Sequence, residues 1–257
     1  MTLPPAVALP VAPPPAEPVP ANVTADLGVI AAFWVASYIG YYLGLPALGY
    51  AADYNANPMP IGLYYLFCTG AALIQFWPIY LTWGHRVQWI GPSSRILSHL
   101  LWIAVFGGCT AFAAVFMPQL EPAQWPTAWG PAPDIALAVD HYFLPKSLDI
   151  VFQQCLIVAL VLVLGRQTRS LWQLSVACGV LFGGMHLMLV ASQLPWIAVI
   201  RFIVFAALYG GAMPWLILRL RSGFVVGFLL HWSYYALTVL LVQVYGAGAL
   251  LTLLTGQ

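Results

Sequence analysis

Charge is what this chain has least of. Only 6% of its 257 residues are Asp, Glu, Lys or Arg, where a soluble domain carries about 25%. Hydrophobic residues make up 62%. That balance excludes an ordinary soluble domain and points to a polytopic membrane protein. The net charge of +1 says nothing about nucleic acid, and there is no basic cluster to grip phosphates. The four cysteines (Cys68, Cys109, Cys155, Cys178) form neither a CxxC nor a zinc spacing and all fall in apolar stretches, so they read as small core hydrophobes. Residues 1–23 hold no Lys or Arg, so they lack the charged start of a signal peptide. Their proline density disfavours helix, and they read as a disordered Pro/Ala-rich tail.

Long apolar runs are there in abundance. Hydropathy gives an all-α transmembrane bundle of about seven spans, at 26–48, 61–83, 96–117, 147–165, 171–192, 197–217 and 224–246. The organisation expected is a tail over 1–23, three helices within 24–117, an outer Pro/Trp-rich loop over 118–146, a four-helix core over 147–246 and a tail over 247–257. No interrupted helix is read. Arg86 and Arg95, Arg166 and Arg169, and Arg219 and Arg221 fall in three loops on one side, which the positive-inside rule makes the cytoplasm. The N-terminus is then expected inside and the C-terminus outside, with Glu121, Asp134 and Asp140 in the outer loop. Lys146 and Arg201 are the basic exceptions, each near the outer end of a span.

Polar side chains within spans are costly and point to function. Asp149 is the only carboxylate in the interior of a span, one helical turn before Gln153 and so on its face. Arg201 lies at a similar depth on another helix, and an Asp149–Arg201 ion pair is expected, lowering the cost of burying either charge. The adjacent Gln153 and Gln154 stand where only apolar side chains are cheap. His186, in "LFGGMHLML", lies beside two glycines that would let another backbone come close. His231 lies in "GFVVGFLLHWSYYAL". His85, His99 and His141 have no comparable setting.

Three segments together resemble the CAAX protease and bacteriocin-processing family of intramembrane peptidases, often called CPBP. "LFGGMHL" matches its FxxxH pattern with Phe182 and His186. "YGGAMPWLILRLRSGFVVGFLLHWSYYAL" is similar to its closing section, with Arg219 and Arg221 in a basic turn and His231 at the HxxxN position. "FQQCLIV" stands where the family has EExxxR. The resemblance covers roughly 147–240. It implies that a glutamate at position 153 or 154 would activate water, with the histidines positioning it and stabilising the oxyanion. Both glutamates are glutamines here, the motif arginine is Val158 and the motif asparagine is Tyr235. An amide has no carboxylate with which to accept a proton, so it cannot act as a general base near neutral pH.

Three functional readings follow. One is a proteolytically impaired homologue that binds a membrane protein or peptide in the old cleft. Another is an active peptidase with Asp149 as base beside His186 and His231. A third is a membrane protein that ligates haem or a metal through the two histidines, although no cofactor or metal is required by the sequence. Partners expected are the lipid bilayer and a membrane protein or peptide, with no nucleic acid. The resemblance implies a bacterial cytoplasmic membrane. Gln153 and His186 lie about 9 Å from the outer ends of their spans and His231 lies deeper, so the three meet only if the last helix is tilted or shifted.

Overall fold

The computed structural model describes residues 22–82, 141–168, 170–192, 196–220 and 222–255, with scattered residues between 100 and 138. Among the described residues proline stands near helix starts and at two interior positions, Pro78 and Pro214, so long helices dominate there. Helix α1 (Val23–Ile39) starts on Asn22, whose side chain accepts from the Ala25 amide at 3.1 Å. It widens into a π turn at Gly40–Gly44 and closes with Leu45–Ala47. After a loop come α2 (Pro58–Leu81), α3 (Phe143–Leu164), α4 (Leu171–Met185), a 3₁₀ stretch His186–Ser192, α5 (Trp196–Arg219) and α6 (Gly223–Thr255). Six of these units are long and apolar enough to cross a membrane, and the protein is an integral-membrane helical bundle.

Helix α3 is the hub. In its most apolar window 72% of residues are buried, against 17–56% in the other spans. It packs on α1, α2, α4, α5 and α6, so a helix apolar all round finds protein on nearly every side. Its face toward α6 carries the polar residues discussed below. The most extensive packing joins α4 to α5 and α2 to α3. Glycines set the first of these: a Cβ on Gly179 would meet the Ala207 carbonyl oxygen at 2.8 Å, and one on Gly183 would meet Ala207 Cβ at 2.8 Å. The outer face of α2 presents Met59, Leu63, Phe67, Ile74 and Trp77, all exposed, as a lipid-facing surface requires.

Several sequence boundaries move. The fourth span opens at Phe143 rather than 147, so Lys146 belongs to the helix and not to the outer loop. Val23 already opens α1, which shortens the expected tail. Residues 247–255, read as a tail, continue α6 beyond a kink at Gly246, whose φ of 76° only glycine adopts freely. The π turn of α1 and the 3₁₀ end of the fifth span interrupt helices that the sequence reads as continuous. Of the third span, 96–117, and the loop 118–146, most lies outside the described residues, as do residues 1–21, Arg86, Arg95, His85 and His99. Those residues of 100–115 that are described are helical.

Candidate functional site

The site builds outward from the pair Lys146–Asp149. Three residues apart on α3, they share one helix face, and Lys146 Nζ lies 2.8 Å from Asp149 Oδ2. Both are buried. The same carboxylate oxygen accepts from the Tyr54 hydroxyl at 2.9 Å, and Oδ1 accepts from Gln153 Nε2 at 2.8 Å. Tyr54 comes from the loop between α1 and α2 and sits against Tyr65, whose hydroxyl is 3.2 Å away. Burial, and then the Asp149 charge, push the Tyr54 phenol well above its ordinary 10.0, so it stays a donor. Lys146 Nζ also lies over two aromatic rings, 4.1 Å from the Tyr235 centroid and 4.9 Å from that of Tyr54. The charge on Asp149 is therefore matched by a cation and two further donors, as an ion pair inside a membrane protein needs to be.

This corrects one expectation. Asp149 does not pair with Arg201. A partner three residues away on its own helix reaches it without any second element, and the earlier start of α3 puts Lys146 inside the bundle to do so.

The two glutamines divide. Gln154 is fully buried and held at both ends of its amide: Nε2 donates to the Phe224 carbonyl at 3.3 Å, and the Tyr209 hydroxyl donates to Oε1. Tyr209 also lies 3.1 Å from the Gly227 carbonyl, so α3, α5 and α6 are stitched together there. Gln153 is half-buried. Its Nε2 is taken by Asp149, whereas its Oε1 is buried without a hydrogen-bond partner.

The histidines gather on Phe182 of α4. The His186 ring lies 5.0 Å and the His231 ring 6.3 Å from the Phe182 ring. His186 Nδ1 is 2.9 Å from the Phe182 carbonyl, so Nδ1 carries a proton and donates it there. His231 stands 4.7 Å from the Tyr209 ring and 5.5 Å, stacked, from Tyr235, and its Nδ1 is buried without a partner. Tyr235 thus joins the two halves, stacking on His231 with one contact and covering Lys146 with another.

All six residues singled out by the sequence (Asp149, Gln153, Gln154, His186, His231 and Tyr235) belong to one connected cluster. The meeting takes the axial shift that the sequence required: Gln154, about 17 Å into α3 by helical rise, meets the carbonyl of Phe224 in the first turn of α6. Of the two glycines before His186, Gly183 does admit a neighbouring backbone, but Gly184 faces open space. Three members were missed. Lys146 could have been found from the i, i+3 spacing in "KSLD". Tyr54 and Tyr209 reach the cluster only by tertiary folding, and nothing local marks them.

Chemically, the arrangement offers an engaged carboxylate, a buried neutral amide and two imidazoles. Among the described residues, no three His, Cys, Asp or Glu side chains gather as a metal set would. A porphyrin laid between the histidines would have to displace Phe182, which is 1% exposed, so the site does not suit haem. No family model, curated protein or solved structure matches the chain.

Proposed function

We propose that this is a CPBP-type intramembrane scaffold that binds a segment of a membrane protein or a peptide and does not hydrolyse it. One observation carries the reading. Both oxygens of Asp149 are occupied by Lys146, Tyr54 and Gln153, whereas Gln153 keeps a buried Oε1 with no partner. The one carboxylate of the cluster is spent on structure, and the atom left to be satisfied is a neutral acceptor. An unwound backbone could be recognised there through its N–H, since a buried acceptor left unpaired costs about 1–3 kcal/mol that a donor on the ligand recovers. No member of the cluster is a carboxylate able to take a proton from water. Loss of that base alone removes about 10²–10⁴-fold in rate.

The membrane proposed is the bacterial cytoplasmic membrane, with the three arginine-bearing loops in the cytoplasm. The test is a photo-crosslinking side chain installed at position 153 of the full chain in its native membrane. Crosslinks to an intact membrane protein, competed by nothing but that protein, are expected. Recovery of cleaved fragments that disappear with Asp149→Asn would overturn the reading in favour of a working peptidase built on Asp149, His186 and His231.

A further inference from the structure

Pairing Asp149 with Lys146 leaves the charge of Arg201 unmatched. Arg201 lies in the second turn of α5, about 8 Å along the axis from Trp196 by helical rise. Among the described residues no carboxylate pairs with it. Its guanidinium carbon lies 5.2 Å from the Phe202 ring and 5.7 Å from the Tyr234 ring, contacts that shelter a cation without neutralising it. The Arg201 Nε is buried with no hydrogen-bond partner, and the Tyr234 hydroxyl beside it has the Arg201 side chain as its polar neighbour. The guanidinium therefore keeps a donor with no acceptor, which an anionic oxygen would satisfy. A guanidinium with no carboxylate of the described residues beside it is suited to an anion from outside the chain.

The surroundings say which kind. Trp196, at the start of α5, is 68% exposed and suits the headgroup level, which brings Arg201 within snorkelling distance of that level. From Arg201 inward, Val204, Phe205 and Leu208 stand exposed over two turns. A positive, donor-rich head position above an apolar strip has the form of a phospholipid, with phosphate at one end and acyl chain along the other.

We infer that Arg201 and Tyr234 form a site for an anionic phospholipid, its phosphate at the guanidinium and one acyl chain along the exposed strip of α5. A net-negative lipid is preferred over a zwitterionic one because no ammonium of its own competes for the phosphate. The inference does not depend on what the polar cluster binds.

The test places the full-length protein in nanodiscs of equal phosphatidylglycerol and phosphatidylcholine, then counts retained lipids by native mass spectrometry after transfer to detergent. Wild type should keep about one phosphatidylglycerol per chain, and Arg201→Gln should lower that enrichment about tenfold, the effect of one charge-assisted contact. Arg201→Lys should fall between them, because a point charge replaces a two-pronged donor. Equal enrichment in wild type and Arg201→Gln, or protection by inorganic phosphate as good as by the lipid, would overturn the site. Should Arg201→Gln not fold, the wild-type melting temperature decides: it should be higher in phosphatidylglycerol than in phosphatidylcholine, and equality would overturn the site.

Discussion

At the scale of single residues, the account rests on which side chains are spoken for. Lys146→Met strands Asp149 as a buried charge and should cost about 3–5 kcal/mol, read as thermal stability in detergent. Adding Asp149→Leu should recover only part of that loss, because it removes the stranded charge but leaves the Tyr54 hydroxyl and the Gln153 amide without their acceptor. Tyr54→Phe removes one donor to a carboxylate and should cost about 1.5–3 kcal/mol. Its folded phenol is held above 10.0, so the contribution is present in full below that value. It fades as pH rises toward the folded value, because the unfolded tyrosine ionises first. The wild-type minus Tyr54→Phe difference should therefore be constant between about pH 6 and 9. Replacing Gln153 and Gln154 with glutamate is not expected to create proteolysis. Position 154 faces the Phe224 carbonyl, which a carboxylate repels, and Tyr235 stands where the asparagine of the resembling family would be. New cleavage products from that double variant would contradict the assignment. The sequence made Asp149 and Gln153 legible as one face, since four residues is a turn. It left Tyr54 and Tyr209 invisible, because their partners are 95 and 55 residues away.

At the scale of elements, glycine decides how closely α4 and α5 approach. A Cβ on Gly210 would meet the Cys178 carbonyl oxygen at 2.8 Å, and backbone cannot retreat as a side-chain tip can. Gly210→Ala should cost about 1–3 kcal/mol, whereas Gly184→Ala, which faces open space, should be near neutral. The contrast between these two, measured as unfolding temperature, checks the packing directly. Hydropathy located the helices well, because a bilayer leaves the backbone few ways to satisfy its own polar groups. It misplaced ends. Lys146 looked like a loop residue because a charge lowers local hydropathy, yet its partner three residues on makes burial affordable. The 3₁₀ stretch after Met185 and the π turn at Gly40 have no signal in hydropathy, which is blind to how a helix winds.

At the scale of the molecule, the cluster lies where α3 meets α4, α5 and α6, and the loop between α1 and α2 closes it through Tyr54. The first two spans therefore complete the site by supplying that loop. Topology is a separate expectation. With seven spans and the arginine pairs in the cytoplasm, a reporter fused at Gln257 should be accessible only from outside the cell. A cytoplasmic reporter would contradict that orientation. The central claim is that the cluster binds a membrane segment without cutting it. The most direct measurement is photo-crosslinking from position 153 in native membranes, followed by mass spectrometry of the adduct. An intact membrane protein crosslinked at stoichiometric yield is the predicted result. A ladder of truncated peptides that vanishes with Asp149→Asn would contradict it and make the bundle a peptidase.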